Sequence, residues 1–262
     1  EQELEGLLSP DELAAARPAF GMQDAPAFEA GYLPFPALSA EQAARAVGKE
    51  AAQVEMLLAR TKAKLNEARA RRVLPRDTKR LAAWNGLALA SFAEAARVTG
   101  EARYAAGAQR LRDYLAQTLW DGETLRRALA DGRPLGKVAV EDYAYTVLGL
   151  LEWAELSGRM EDYELARTLA WQGWRRFYGT RGWRLEEESL IEAEAGQDIL
   201  TDGPMPSPSG VLAAASLRLA DKTRDQALRR QALAALNSGH SLLKENPFWY
   251  ATQVGAMLAA GS

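Results

Sequence analysis

From residue 80 onward the chain alternates two kinds of helix-forming segment, and that alternation restricts its fold to an array of helical hairpins. Leu81 to Val98, Val140 to Leu156, Ser209 to Ala220 and Phe248 to Ala260 are rich in Ala and Leu and carry few charges. Tyr104 to Leu119, Asp162 to Tyr178 and Gln226 to Leu243 follow the first three and present a charged face, as Arg110, Arg112 and Asp113 or Arg175 and Arg176 show. Tyr104 with Ala108, Leu111 and Leu115 is spaced like Tyr163 with Ala166, Ala170 and Trp174, and the two tyrosines lie 59 residues apart. Self-similarity at a fixed period signals a repeat of one supersecondary unit. A helix apolar all round needs burial on most sides, whereas an amphipathic one needs a single covered face. An inner ring of apolar helices sheathed by an outer amphipathic ring meets both requirements. An open solenoid meets them too, and the period does not choose.

Three polar segments stand where the inner helices begin, at steps of roughly 60 residues: Asp77-Thr78-Lys79 before Trp84-Asn85-Gly86-Leu87, Glu141-Asp142-Tyr143-Ala144, and Asp202-Gly203-Pro204 running through Pro206-Ser207-Pro208-Ser209-Gly210. Paired acids in a pocket can protonate a leaving oxygen and activate water or act as nucleophile. The candidate catalytic residues are therefore Asp142 and Asp202, with Asp77 third. Trp84, Asn85, Glu141, Tyr143 and Ser207 are candidates for substrate binding. The same acids would also stabilise helix starts, by capping free N–H groups and opposing the helix dipole. Trp84, Tyr143, Trp183 and Trp249 offer flat faces for stacking on a ligand, or simply fill a wide core. Asn85 inside an apolar helix requires a hydrogen-bond partner, either the incoming chain at Asp77 to Lys79 or a ligand. Gly86 and Gly149 inside inner helices imply close helix approach, since each costs about 1 kcal/mol relative to Ala.

Composition removes several function classes. The 262 residues include no cysteine, which excludes disulfides, thiol catalysis and thiolate metal sites. The single His240 excludes multi-histidine metal centres; it lies late in a helix, where a capping or surface role competes with that of a catalytic base. No metal site and no cofactor are expected. A net charge of −3 gives no electrostatic reason for nucleic-acid binding, and no apolar run reaches the roughly 20 residues of a membrane span. The chain is read as soluble and cytoplasmic, and as processed or truncated because it starts at Glu1 without a leader.

The first 38 residues form a Pro- and Gly-rich leader laid over a surface, with residues 39–262 forming the hairpin domain. Ser9-Pro10-Asp11-Glu12 reads as a short helix start, with Ser9 as N-cap. Residues 18–37 hold Pro18, Pro26, Pro34 and Pro36 and should be irregular. Further helices run from Ser39 to Gly48 and from Glu50 to Ala70, the second with Val54, Leu57, Leu58, Thr61 and Leu65 on one face.

Arg72-Val73-Leu74-Pro75 through Asp77-Thr78-Lys79 and Trp84-Asn85-Gly86-Leu87 resembles a signature of the thioredoxin-domain-bearing proteins related to the mammalian spermatogenesis-associated protein. In the same order, Trp120-Asp121-Gly122 with Leu125-Arg126-Arg127 resembles the family's connector, and Glu141-Asp142-Tyr143-Ala144 its second helix start. Asp202-Gly203 with Pro206-Ser207 resembles its third turn, and Gly21 with Phe28-Glu29 an upstream stretch. Ala27 and Ala30 depart from that stretch, and Pro208-Ser209-Gly210 from the turn. The resemblance implies an all-α, (α/α)₆-toroid-like array of the six-hairpin glycosidase type, incomplete here at about three and a half hairpins after residue 80. It implies glycosidase- or epimerase-like chemistry on a saccharide ligand. It also implies a missing N-terminal thioredoxin-like domain or a partner chain, with a homo-oligomer as another way to cover the open ring. A non-enzymatic scaffold that docks a thioredoxin-like domain or another protein is the alternative.

Overall fold

Inner helices that carry almost no charge need cover, and the chain supplies much of it by laying them side by side. In the computed structural model, which describes residues 2–26, 28–29, 31–180, 182–184, 199–238, 243–244 and 246–261, the chain forms two compact units, Glu1–Arg76 and Asp77–Ser262. The second unit holds α5 (Ala82–Thr99), α6 (Ala102–Tyr114), α7 (Val140–Ser157), α8 (Met160–Phe177), α9 (Pro208–Thr223), α10 (Gln226–Ser238) and α11 (Ala251–Gly261). The odd-numbered helices pack in order, α5 on α7, α7 on α9 and α9 on α11, while α6, α8 and α10 cover them from outside. This is a portion of an (α/α)₆ toroid: three hairpins and the inner helix of a fourth among the described residues. Helix bounds agree with the sequence reading to within a few residues. The sequence pattern carries one helix from Gln226 to Leu243; α10 ends at Ser238, and residues 239–242 lie outside the described residues, as does the His240 candidate.

The inner helices touch closely because two glycines face each other. A methyl group at Gly86 would run into the Tyr145 carbonyl, and one at Gly149 into the Gly86 carbonyl. α5 and α7 therefore meet backbone to backbone, as the two glycines imply. Gly100 and Gly158 end α5 and α7 in the left-handed conformation, at φ of 70° and 69°. Around this contact the core includes Leu89, Leu150, Leu151, Leu169, Trp174 and Phe177.

A small antiparallel sheet joins two inner-helix starts. β1 (Arg80–Leu81) pairs with β2 (Ala128–Ala130), which pairs with β3 (Arg133–Leu135). The β2–β3 turn, Asp131-Gly132, has φ of 49° and 77°, the signature of a two-residue hairpin with both central residues left-handed. The strand begins at Ala128, immediately after the expected Leu125-Arg126-Arg127 stretch, because Leu125 is instead bridged to Trp120. A second hairpin, β4 (Tyr178–Gly179) with β5 (Gly182–Trp183), follows α8 and stacks Trp174, Tyr178 and Trp183 with ring centroids 4.8 to 5.5 Å apart.

The first unit comprises α1 (Gln2–Leu7), α2 (Pro10–Ala19), α3 (Ala40–Val47) and α4 (Ala51–Ala70). Ser9 and Ser39 close capping boxes with Glu12 and Gln42. Pro18 sits inside α2 rather than ending it, so the irregular segment starts after Phe20. Ala15 and Ala19 of α2 share a core with Ala43, Ala44, Val54, Leu57 and Leu58. A division at residue 38 cuts through that core, whereas the compact units meet at Arg76 and Asp77. No helix among the described residues is long and apolar enough to cross a membrane.

Candidate functional site

The α7 start is built inside the protein, and its chemistry follows from that. Ala139 and Val140 are buried, so the free N–H groups of the first turn cannot reach water. Asp142, fully buried, turns one oxygen back to accept from the Ala139 N–H at 2.9 Å. Its other oxygen, Oδ1, makes no well-formed hydrogen bond. Burial pushes the Asp142 carboxyl up to about 6, against the opposing pull of the Ala139 amide and the Arg127 guanidinium. Arg127 reaches over this start from the segment leading into β2. Its Nη2 donates to Glu141 at 3.0 Å, its Nη1 to the Lys137 carbonyl at 3.3 Å, and Nη1 lies 3.7 Å from Asp142.

The third start is tied to the second. The Tyr145 hydroxyl of α7 donates to the Pro206 carbonyl at 2.5 Å. Burial raises its pKa strongly, and the charges of Glu141 and Asp202 push it the same way. Asp202 accepts from the Ser207 N–H at 2.7 Å, and from the N–H and hydroxyl of Thr252 at 2.7 and 2.5 Å. It staples the α9 start to α11. Ser207, fully buried, is the α9 N-cap and accepts from the Gly210 N–H at 3.3 Å.

The remaining candidates stand apart from this arrangement. Asp77 is exposed in a local turn, accepting from the Lys79 N–H at 3.0 Å, and that backbone bond holds its carboxyl below the usual value. It precedes α5 by five positions and caps nothing, because Ala82 instead donates to the Arg127 carbonyl at 2.8 Å. Asn85 donates to the Leu81 carbonyl at 2.7 Å, one turn back, rather than to Asp77–Lys79. Tyr143 is enclosed in the core beside Phe177, its hydroxyl donating to Gln172 at 3.0 Å, so it has no face to offer a ligand. Trp183 is held in the aromatic stack described above. Trp84 and Trp249 are 65% and 53% exposed. Of the four acids, Asp142 and Asp202 are occupied with backbone groups and Asp77 with its own turn. Glu141, about one third exposed and bound to Arg127, is the one free of backbone duty.

A cleft of about 410 Å³ opens beside the α7 start. Arg127 lines it, together with Thr124, Leu125, Arg126, the β3 end from Pro134 to Val138, and Arg176 of α8. The ligand-binding candidates drawn from the sequence include none of these connector positions. The signal that points to them is the density of Arg and Lys between Arg126 and Lys137.

The hairpin array and its connectors define an (α/α)-toroid domain of the kind found in sugar epimerases. The chain is similar in structure to a cellobiose 2-epimerase from Bacillus thermoamylovorans, with a TM-score of 0.52 at 17% identity over 63% of this chain and 45% of that one. It is similar to a sugar epimerase from a ruminal bacterium, with a TM-score of 0.52 at 15% identity over 64% and 45%. A cellobiose 2-epimerase from Spirochaeta thermophila gives 0.51 at 19% identity over 62% and 43%. The aligned part therefore spans less than half the length of each of these proteins. The sequence matches no protein-family model and no curated protein.

Proposed function

We propose that the hairpin array is a saccharide-binding domain whose ligand occupies the cleft beside the α7 start. The observation that carries this reading is a cleft of about 410 Å³ at an inner-helix start, within a fold shared with sugar epimerases. Small-ligand sites typically measure about 300–1,000 Å³. Glu141, in place of Asp142 and Asp202, is the acid that serves this site, by orienting Arg127 of the cleft lining from behind. The ordered motifs from Arg72 to Ser207 support kinship with the thioredoxin-domain-bearing family as part of the same proposal. Saturation-transfer NMR on the full chain, with cellobiose, neutral monosaccharides and anionic monosaccharides, tests the reading. Transfer to none of these sugars sinks it.

A second reading has its own observation. α5 exposes Trp84 and Val98, 65% and 73% accessible, along a stripe with Ala88, Ser91 and Ala95. An apolar stripe on a helix favours another protein body as its cover, which supports the scaffold alternative. Sedimentation across a concentration series decides: a chain that stays monomeric argues against self-association through this stripe.

A further inference from the structure

The cleft is lined by basic side chains although the chain as a whole is acidic. Arg126, Arg127, Lys137 and Arg176 line it, and among the described residues no carboxylate does, although the net charge of the chain is −3. Two of these cations are oriented from outside the lining: Arg126 by Asp121 at 3.5 Å, and Arg127 by Glu141 at 3.0 Å. Arg126 also donates to the Thr118 carbonyl at 2.8 Å and Arg127 to the Lys137 carbonyl at 3.3 Å; a guanidinium has five N–H donors, so these contacts leave others for a ligand. Arg176 stands across the cleft, 3.5 Å from the Thr124 hydroxyl, which lines the cleft as well. Gly136 holds the arrangement open. Its φ is 74°, and a methyl group there would come within 3.0 Å of the Arg127 side chain. Leu125, Pro134 and Val138 supply an apolar wall.

We infer that this cleft takes a saccharide bearing a phosphate or carboxylate group. The planar donor forks of Arg127 and Arg176 and the Lys137 ammonium hold the anion, and the apolar wall receives the C–H face of the ring. Arginine forks match the oxygens of both anions, and charge-assisted bonds are about twice as strong as neutral ones. The inference rests on the saccharide reading of the same cleft, and the experiment separates the two.

Calorimetric titration of the full chain with glucose 6-phosphate, glucuronate, glucose and inorganic phosphate is the test. The expected result is that glucose 6-phosphate or glucuronate binds at least about tenfold tighter than glucose, with the preferred one telling phosphate from carboxylate recognition. Added salt weakens that binding. Lys137→Gln, at an exposed position, and Arg127→Gln each weaken it about three- to tenfold. Glucose bound as tightly as its phosphate overturns the inference and leaves the saccharide reading standing. Inorganic phosphate bound as tightly as the sugar phosphate overturns the saccharide component of both. No binding by any of the four, or wild-type affinity in both variants, also overturns it.

Discussion

Replacing Asp142 by Asn tests whether the α7 start stores an electrostatic cost. The carboxyl is fully buried, takes its one well-formed hydrogen bond from Ala139, and its pKa is pushed from 3.8 to about 6, first by desolvation. A carboxyl whose folded pKa lies above its unfolded value binds its proton more tightly in the native state. Its contribution to stability therefore falls as pH rises from 3.8 towards 6, and is level above that. Each pH unit between the unfolded and folded pKa is worth about 1.36 kcal/mol, so the loss from about pH 4.5 to about pH 7.5 amounts to about 2 kcal/mol. Asparagine keeps an acceptor for the Ala139 N–H and removes the charge. The difference in stability between Asp142→Asn and wild type should move in favour of the variant by about 2 kcal/mol over this range. Taking the difference cancels the carboxyls whose pKa is lowered, such as Asp121 and Asp225, which act with the opposite sign. The assay is urea denaturation followed by tryptophan fluorescence. All seven tryptophans lie between Trp84 and Trp249, inside the second unit, so the signal reports that unit alone. A difference that does not change with pH would refute the reasoning, because the buried carboxyl would then titrate as it does in the unfolded chain.

Gly149→Ala drives a methyl group into the Gly86 carbonyl across the α5–α7 contact; a loss of about 3 kcal/mol or more, read by the same denaturation, is expected. Asp202→Ala removes the acceptor for Ser207 and Thr252; a loss of about 2–4 kcal/mol should appear together with faster hydrogen exchange at the Thr252 amide. Asp77→Ala, in an exposed turn, should leave the thermal midpoint where it was, and a large drop would show that the turn does more than its bonds indicate.

The fold is readable in the sequence because its rule is local and repeated. The 59-residue match of Tyr104 and Tyr163 marks equivalent outer helices, and the paired glycines mark the closest inner contact. The β2–β3 hairpin is also written locally, in Asp131-Gly132 between Leu129 and Leu135. The Trp120 and Leu125 motif just before it draws the strand assignment away from that turn. Other features have no local signature. Thr252 lies 50 residues from Asp202, and nothing near either residue announces the pairing. Tyr143 and Tyr145 are two positions apart in one helix start, yet one enters the core and the other ties down Pro206. Only the packing of α8 and the 202–207 segment assigns those roles.

The three polar helix starts resemble a convergent site because each solves one backbone problem. An inner helix of a toroid begins inside the protein, where its free N–H groups have no water. α5 answers by strand pairing, through Ala82 and the Arg127 carbonyl. α7 answers with a buried carboxylate, Asp142. α9 answers with a serine cap, itself anchored by Asp202. The polar residues of the second and third starts therefore follow from the backbone's need, before any ligand is considered, while Asp77 serves only its own turn. Under the proposed saccharide reading, ligand contact falls to the next layer outward, to side chains the starts hold in place without consuming. Arg127 is such a residue: its carbonyl serves α5, its guanidinium engages Glu141 at the head of α7, and its side chain lines the cleft. One connector residue thus couples two helix starts to the cleft, so loss of the Arg127 side chain should alter ligand affinity while the carbonyl bond to Ala82 survives any substitution. Arg127→Gln is accordingly expected to cost binding more than stability, and a variant that melts far below wild type while binding normally would reverse that order.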